Sequence, residues 1–277
     1  MKIMDGAKIR NELLMKQEEM IKKEKLDIKL AIIEIGEDSS SNLYIKNKMK
    51  YTSKVGIKTE LYKLDVDISE SELINLIKKL NEDRETTGIL LQAPVPPQIN
   101  FTKCVRFINP DKDVDGLSTM NLLGIYDYEE KILPCTVKGI LRLLEYYNIE
   151  LEGKNIVIIG RSKLVGRPLF DAFLNRNATV TLCHSKTKNL ADFTLKADII
   201  VSTAGCANLI RPDMVSSDFI GIDVGINVIN KQIVGDFSEE ACEKASYMTP
   251  VPGGVGPMTI AMLIENLIEL KKLSKRS

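Results

Sequence analysis

The 277-residue chain contains no tryptophan, aromatic residues make up only 5% of it, and it has a single histidine, His184. With one histidine, a histidine-based metal site or a Ser-His-Asp triad is disfavoured. The five cysteines (Cys104, Cys135, Cys183, Cys206 and Cys242) are scattered, and no C-x-x-C pair occurs. An odd, unpatterned set reads as reduced thiols, not as a disulfide framework or a zinc site. Neither sign of charge is in excess, since Lys plus Arg and Asp plus Glu both number 38. That balance argues against nucleic acid or an anionic membrane as the main partner, because both select a basic excess. No apolar run approaches membrane-spanning length, and the opening "MKIMDGAKIR" lacks a signal-peptide core. A cytoplasmic protein is the expectation.

What remains is an ordinary globular composition, 44% hydrophobic and 27% charged, in a chain long enough for two domains. The first half alternates helical and extended signals. "AKIRNELLMKQEEMIKKE" has helical spacing, "KLAIIEIG" reads as a buried strand, and "DSSSN" supplies capping side chains for a helix that ends at Gly56. "KTELYKLD" reads as a strand. "SESELINLIKKLNED" reads as a helix with Glu72 three residues after Ser69, and "TGILLQAPVPP" as a strand stopped by its prolines. This β-α-β-α-β order predicts a parallel sheet with crossover helices.

Ligands in such sheets bind beyond the carboxyl ends of the strands. Tyr44 and Lys48, in "SSSNLYIKNKMK", are four apart and share one helix face beyond the first such strand. Gln92 follows the third strand, and the turn-rich "INPDKDVDGLS" carries Asp111, Asp113 and Asp115. Asp also shapes turns, so for Asp111 and Asp113 the structural and functional readings stand level. A tyrosine, a lysine, a glutamine and an aspartate on one rim suggest a polar pocket.

The second half opens with a linking helix, "LPCTVKGILRLLEYYNI", and continues with "KNIVIIGRSKLVGRPLFDAFL", a strand, a glycine-bearing turn and a helix. The order resembles a Rossmann-type diphosphate site, in which backbone N–H groups at the helix start hold the anion. The match to G-x-G-x-x-G is imperfect. Gly160 stands first, Ser162 and Val165 replace the next two glycines, and Gly166 follows one place late. The next strand, about Ala178 to His184, ends in His184, Ser185, Lys186, Thr187 and Lys188, without the carboxylate that an NAD site usually places there. With Arg161 in the first turn, this end suits a 2′-phosphate, so NADP is the expected cofactor. "ADIIVSTAG" and "FIGIDVGIN" read as further strands, and "MTIAMLIENLIELKKL" as an amphipathic helix that needs a partner surface.

Between them lies "YMTPVPGGVGPMTIAML", a rigid loop rich in proline and glycine. With "MDGAKI", "SNLYIKNK", "GILLQAPVP", "DKDVDG" and "GRSKLVGRP", it gives nearly the whole chain a resemblance to the bifunctional methylenetetrahydrofolate dehydrogenase/methenyltetrahydrofolate cyclohydrolases. Tyr-x-x-x-Lys is also the signature of short-chain dehydrogenases, but there the pair follows the glycine turn, and here it precedes Gly160 by more than a hundred residues.

The resemblance implies an α/β fold with an N-terminal parallel-sheet domain and a Rossmann-type NADP domain, divided as 1–136 with the C-terminal helix 258–277, and 137–257. It implies tetrahydrofolate derivatives as substrates and a homodimer. Lys48 would be catalytic, Tyr44 would pack on the folate ring and orient Lys48, Gln92 would tune Lys48, and Asp115 would hold the pterin. Pro252, Gly253 and Gly254 would form part of the folate wall. Gly160, Arg161, Ser162, Val165, Gly166, Ser185 and Ile226 would serve the cofactor. His184 is expected to be non-catalytic. Competing readings are a family member with one activity only or one preferring NAD, and a non-catalytic NADP-binding protein.

Overall fold

The computed structural model describes residues 1–36 and 39–275. The capping side chains expected in "DSSSN" lie outside the described residues. In chain order the elements begin with β1 (Lys2–Ile3), α1 (Gly6–Lys23), β2 (Lys29–Ile35), α2 (Ser39–Lys54), β3 (Lys58–Leu64) and α3 (Glu70–Glu82). They continue with β4 (Gly88–Leu91), α4 (Phe101–Val105), α5 (Thr119–Tyr126), α6 (Cys135–Tyr146), β5 (Asn155–Ile159) and α7 (Gly166–Leu174). The last are β6 (Thr179–Cys183), α8 (Ala191–Thr194), β7 (Ile199–Ser202), β8 (Ile220–Asp223), β9 (Asn227–Ile229), β10 (Gln232–Val234), α9 (Glu239–Glu243), β11 (Tyr247–Met248) and α10 (Val255–Ser274).

Contacts divide the chain into two units. One, of residues Asn11–Cys135 and Ile260–Ser277, holds the parallel sheet β3-β2-β4. β2 is central, and its near-continuous apolar run reflects burial on both faces. Ala31, Ile33 and Ile35 point from it to Leu73, Ile77 and Leu80 of α3. The α3 start carries the capping box read from the sequence. The Ser69 Oγ accepts from the Glu72 N–H, and a Glu72 carboxylate oxygen accepts from the Ser69 N–H at 3.0 Å. α10 belongs to this unit from Ile260 onward, and Asn266 ties it in by donating to Val114 O and Leu133 O, each at 3.0 Å.

The other unit, of Met1–Arg10 and Thr136–Thr259, holds a parallel six-stranded sheet in the order β1-β11-β8-β7-β5-β6. Its order around β5, with β6 on one side and β7 then β8 on the other, is the doubly wound pattern of a Rossmann-type sheet.

Two features differ from the sequence reading. Residues 1–10, assigned there to the first domain, lie in the six-stranded unit because β1 pairs in parallel with β11. A two-residue strand has no periodicity to read. The sequence also shows no sign of the antiparallel ribbon β9–β10, whose residues Val228, Ile229 and Ile233 are exposed. Its turn residues Asn230 and Lys231 both adopt positive φ, as a two-residue type I′ hairpin requires.

Candidate active site

In the three-stranded unit, α2 places Tyr44 one turn before Lys48. The Lys48 Nζ donates at 2.9 Å to the Oε1 of Gln92, a residue just past the end of β4. Gln92 cannot turn its amide around freely, because its Nε2 donates to the Ala93 carbonyl at 2.6 Å. Asp115 acts on Lys48 through its charge, and so does Cys135. The loop geometry explains how Cys135 arrives there. Gly116 has φ +68°, and a Cβ on it would stand 2.6 Å from the Leu133 carbonyl carbon, so only glycine lets the Asp115 turn lie against Leu133–Pro134. The Cys135 thiol then donates to Val114 O at 3.3 Å, and the Asn266 Nδ2 stands 3.5 Å from its sulfur.

Burial decides the electrostatics of this cluster. It pulls the Lys48 ammonium below the ordinary lysine range, and the Asp115 charge opposes it only in part. Burial also pushes the Asp115 carboxyl up, with Lys48 pulling it back and Asp113 adding to the rise. The Tyr44 phenol is raised by burial as well. A lysine held toward its neutral form, with a partner that accepts its proton side, has the equipment of a general base.

The other two acids of the loop have structural work. Asp113 is buried and accepts from the Ser118 N–H at 2.6 Å and the Asn121 Nδ2 at 2.9 Å. Asp111 is exposed and pairs with Lys131 at 2.7 Å. Cys135 and Asn266 were missed in the sequence. The tetrapeptide "LPCT" and a helical asparagine carry no spacing signal that marks them.

In the six-stranded unit, Gly160 has φ +117° after β5, and the Ser162 Oγ accepts from Val165 N–H at 3.2 Å and Gly166 N–H at 3.4 Å. A Cβ at position 166 would stand 2.0 Å from Gly160 O. Gly166 therefore does what the third glycine of the fingerprint does, allowing the helix start to press on the strand end. Arg161 and Ser185 are exposed beside this edge, and so is Ile226 beyond β8. His184 is spent on a turn, its Nδ1 accepting the Lys186 N–H at 3.1 Å and its own N–H donating to the Thr187 Oγ1 at 2.9 Å. Pro252, Gly253 and Gly254 belong to this unit, where Gly254 presses on Gly6: a Cβ there would stand 1.9 Å from Gly254 O.

Family comparison accounts for both halves. Residues 4–115 match the catalytic domain of the tetrahydrofolate dehydrogenase/cyclohydrolases, and residues 134–275 match their NAD(P)-binding domain. The chain belongs to this family. It is an enzyme of the dehydrogenase/cyclohydrolase type, with a catalytic and an NAD(P)-binding domain. The bifunctional protein FolD of Lactobacillus acidophilus is 44% identical over 275 residues, 98% of this chain and 97% of that one. The FolD of Thermodesulfovibrio yellowstonii is 46% identical over 283 residues, covering 99% and 98%. The crystal structure of the Campylobacter jejuni FolD dehydrogenase/cyclohydrolase superposes with a TM-score of 0.96 at 43% identity, covering 99% of each chain. The Trypanosoma brucei dehydrogenase-cyclohydrolase, solved with NADP cofactor and an inhibitor, superposes at 0.94 with 30% identity, covering 99% and 98%.

Among the described residues no helix is long and apolar enough to cross a membrane.

Proposed function

We propose that the chain oxidises 5,10-methylenetetrahydrofolate to the 5,10-methenyl form with NADP, and hydrolyses that product to 10-formyltetrahydrofolate at the same site. The observation that carries this reading is the buried Lys48, bonded to Gln92 at 2.9 Å and facing the charge of Asp115.

Bound NADP supplies the hydride acceptor. The rest of the work falls to the chain's own residues. Gly160, Ser162, Val165 and Gly166 offer a glycine turn and helix start for the diphosphate, and Arg161 and Ser185 offer donors for a 2′-phosphate without a repelling carboxylate. Ile226 flanks the cofactor. Tyr44 packs on the folate ring, and Asp115 accepts the pterin amino and ring N–H groups in a bidentate pair.

The oxidised product is a cation, and water attacks its one-carbon centre. Lys48 takes a proton from that water and returns it to the nitrogen whose bond to the one-carbon centre breaks. The remaining hydroxyl proton leaves to solvent as the formyl C=O forms, and the lowered proton affinity of Lys48 favours the first transfer. A free lysine near 10.4 is a poor base at neutral pH. Gln92 holds the amine in place by accepting one of its hydrogens, which leaves the lone pair free to face the substrate.

The same reading places the protein in the cytoplasm as a homodimer acting on small folates, with neither nucleic acid nor membrane as a partner. Light scattering during size exclusion checks the dimer. The activity is tested by incubating the protein with 5,10-methylenetetrahydrofolate and NADP, then with NAD, while following reduced cofactor and methenyl product separately. Reduced NADP without matching methenyl accumulation, beyond the uncatalysed hydrolysis rate, is the expected result. Stoichiometric methenyl build-up would reduce the reading to a dehydrogenase, and no cofactor reduction would overturn it.

A further inference from the structure

The activity proposed above leaves two buried carboxylates of the six-stranded unit without a task. β7 and β8 end side by side, with Ser202 in register with Asp223, and a dinucleotide lies beyond strand ends of this kind. Asp236, fully buried after β10, reaches back to that edge. Its Oδ2 accepts the Ser202 hydroxyl at 2.6 Å, the Ala204 N–H at 3.0 Å and the Gly205 N–H at 3.1 Å. Its Oδ1 accepts the Cys206 N–H at 2.8 Å and the Asn227 Nδ2 at 3.0 Å.

Asp223 does for Asp236 what Asp236 does for the loop. The Asp223 Oδ2 accepts the backbone N–H of Asp236 at 2.8 Å and of Phe237 at 3.1 Å, and Oδ1 accepts that of Gly225 at 2.9 Å. The fit has no slack. A Cβ on Gly225 would stand 2.0 Å from the Asp236 Oδ1, and one on Gly235 would stand 2.0 Å from the Asp223 Oδ2.

Turning three successive N–H groups onto one carboxylate fixes the opposite edge of the same peptides. In a trans peptide the carbonyl points away from the N–H. The carbonyls of Thr203, Ala204 and Gly205 therefore face away from Asp236. Thr203 stands against the dinucleotide turn: its N–H donates to Ile159 O at 2.7 Å, and a Cβ on Gly160 would meet its Oγ1 at 2.2 Å and its carbonyl oxygen at 2.9 Å. Carbonyls can only accept, so the ligand group that suits this edge is an N–H donor.

We infer that Asp236 is a positioning residue for the nicotinamide end of NADP, setting the Thr203–Gly205 carbonyls as acceptors for the ring's carboxamide. The inference rests on NADP being the cofactor, as proposed above. Asp236 acts through the loop, and Asp223 acts through Asp236.

The test compares two ligands on the full-length protein by calorimetry: NADP, and 2′-phospho-ADP-ribose, which lacks the nicotinamide. Asp236→Asn turns an amide NH2 toward N–H groups that need an acceptor. It is expected to weaken NADP about tenfold or more, the scale of losing hydrogen bonds to a charged group, while 2′-phospho-ADP-ribose stays within about twofold. Hydrolysis of added methenyltetrahydrofolate, which uses the three-stranded unit, is expected to persist. Asn227→Ala removes one of the five donors and leaves the charge, so it is expected to move NADP about threefold in the same direction. It decides the matter if Asp236→Asn fails to fold. Equal losses for both ligands, or no loss of NADP affinity in either variant, would overturn the inference. Failure of the functional reading would show separately, as a wild type that does not reduce NADP, and the binding titrations need no turnover to give their answer.

Discussion

Lys48 and Asp236 are both buried ionisable groups, yet their surroundings are opposite. Lys48 gives a hydrogen bond to Gln92 and faces Asp115 and Cys135, and its burial is only partly offset. Asp236 collects donors from Ser202, Ala204, Gly205, Cys206 and Asn227. The comparison separates two uses of a buried charge. A group left short of partners keeps valence for a substrate and shifts its proton affinity toward the working pH. A group saturated with backbone and side-chain donors holds a loop in one shape and has nothing left to react with.

The sharpest way to break this contrast is to remove Lys48, the member proposed to react. Lys48→Met keeps the bulk and removes the amine. It is expected to abolish methenyl hydrolysis, at least a hundredfold as for loss of a general base, while NADP binding by calorimetry remains. Hydrolysis in a folded Lys48→Met protein would end the assignment.

Gln92→Glu sharpens the contrast by giving Lys48 an ionised partner. A carboxylate at hydrogen-bond distance raises the lysine's proton affinity, by roughly one to three pH units. The ascending limb of the hydrolysis pH profile is expected to move to higher pH by that order, and an unmoved limb would show that Lys48 is not the titrating group.

Asp223 allows the same comparison on the stability side. Burial, with the Asp236 charge adding to it, raises its carboxyl to about 7 against the three backbone N–H groups that lower it. The folded state thus holds this proton more tightly than the unfolded chain, so the group's contribution is fullest at acid pH and is lost as pH rises from about 4 through 7. Asp223→Asn, which cannot ionise, removes that slope. Its melting temperature relative to wild type is expected to improve from pH 5 to about pH 7 and then level off, and a constant difference across that range would contradict the assignment.

The smallest effect is expected far from both sites. Ser69→Ala removes the cap of α3 and leaves the Glu72 N–H without its acceptor. A loss of about 1 kcal/mol in denaturant unfolding is expected, with both activities unchanged.

Much of this was legible in the residues. The strand–helix alternation of "KLAIIEIG" through "TGILLQAPVPP" gave the parallel sheet, because buried parallel strands read as apolar runs. The Ser69–Glu72 box gave a helix start, and Tyr44, Lys48, Gln92 and Asp115 were singled out from spacing, strand ends and family resemblance together, of which Lys48 and Gln92 are hydrogen-bonded. The parts that were not legible depend on contacts distant in sequence. β1 is too short for a pattern, and its partner β11 lies more than two hundred residues away. Cys135 joins the cluster only because Gly116 folds one loop against another. Asp223 and Asp236 carry no spacing signal in "IDVGIN" and "VGDF", and they come together only because β7, β8 and the ribbon end at one edge.

The pH dependence of methenyl hydrolysis by the wild-type protein, corrected for the uncatalysed rate at each pH, tests the account most directly. A rate that climbs with pH along a single limb and levels off clearly below the ordinary lysine range of about 10.4 is the predicted result. A rate that is flat, or that climbs only in that ordinary range, would contradict a Lys48 held toward its neutral form by burial.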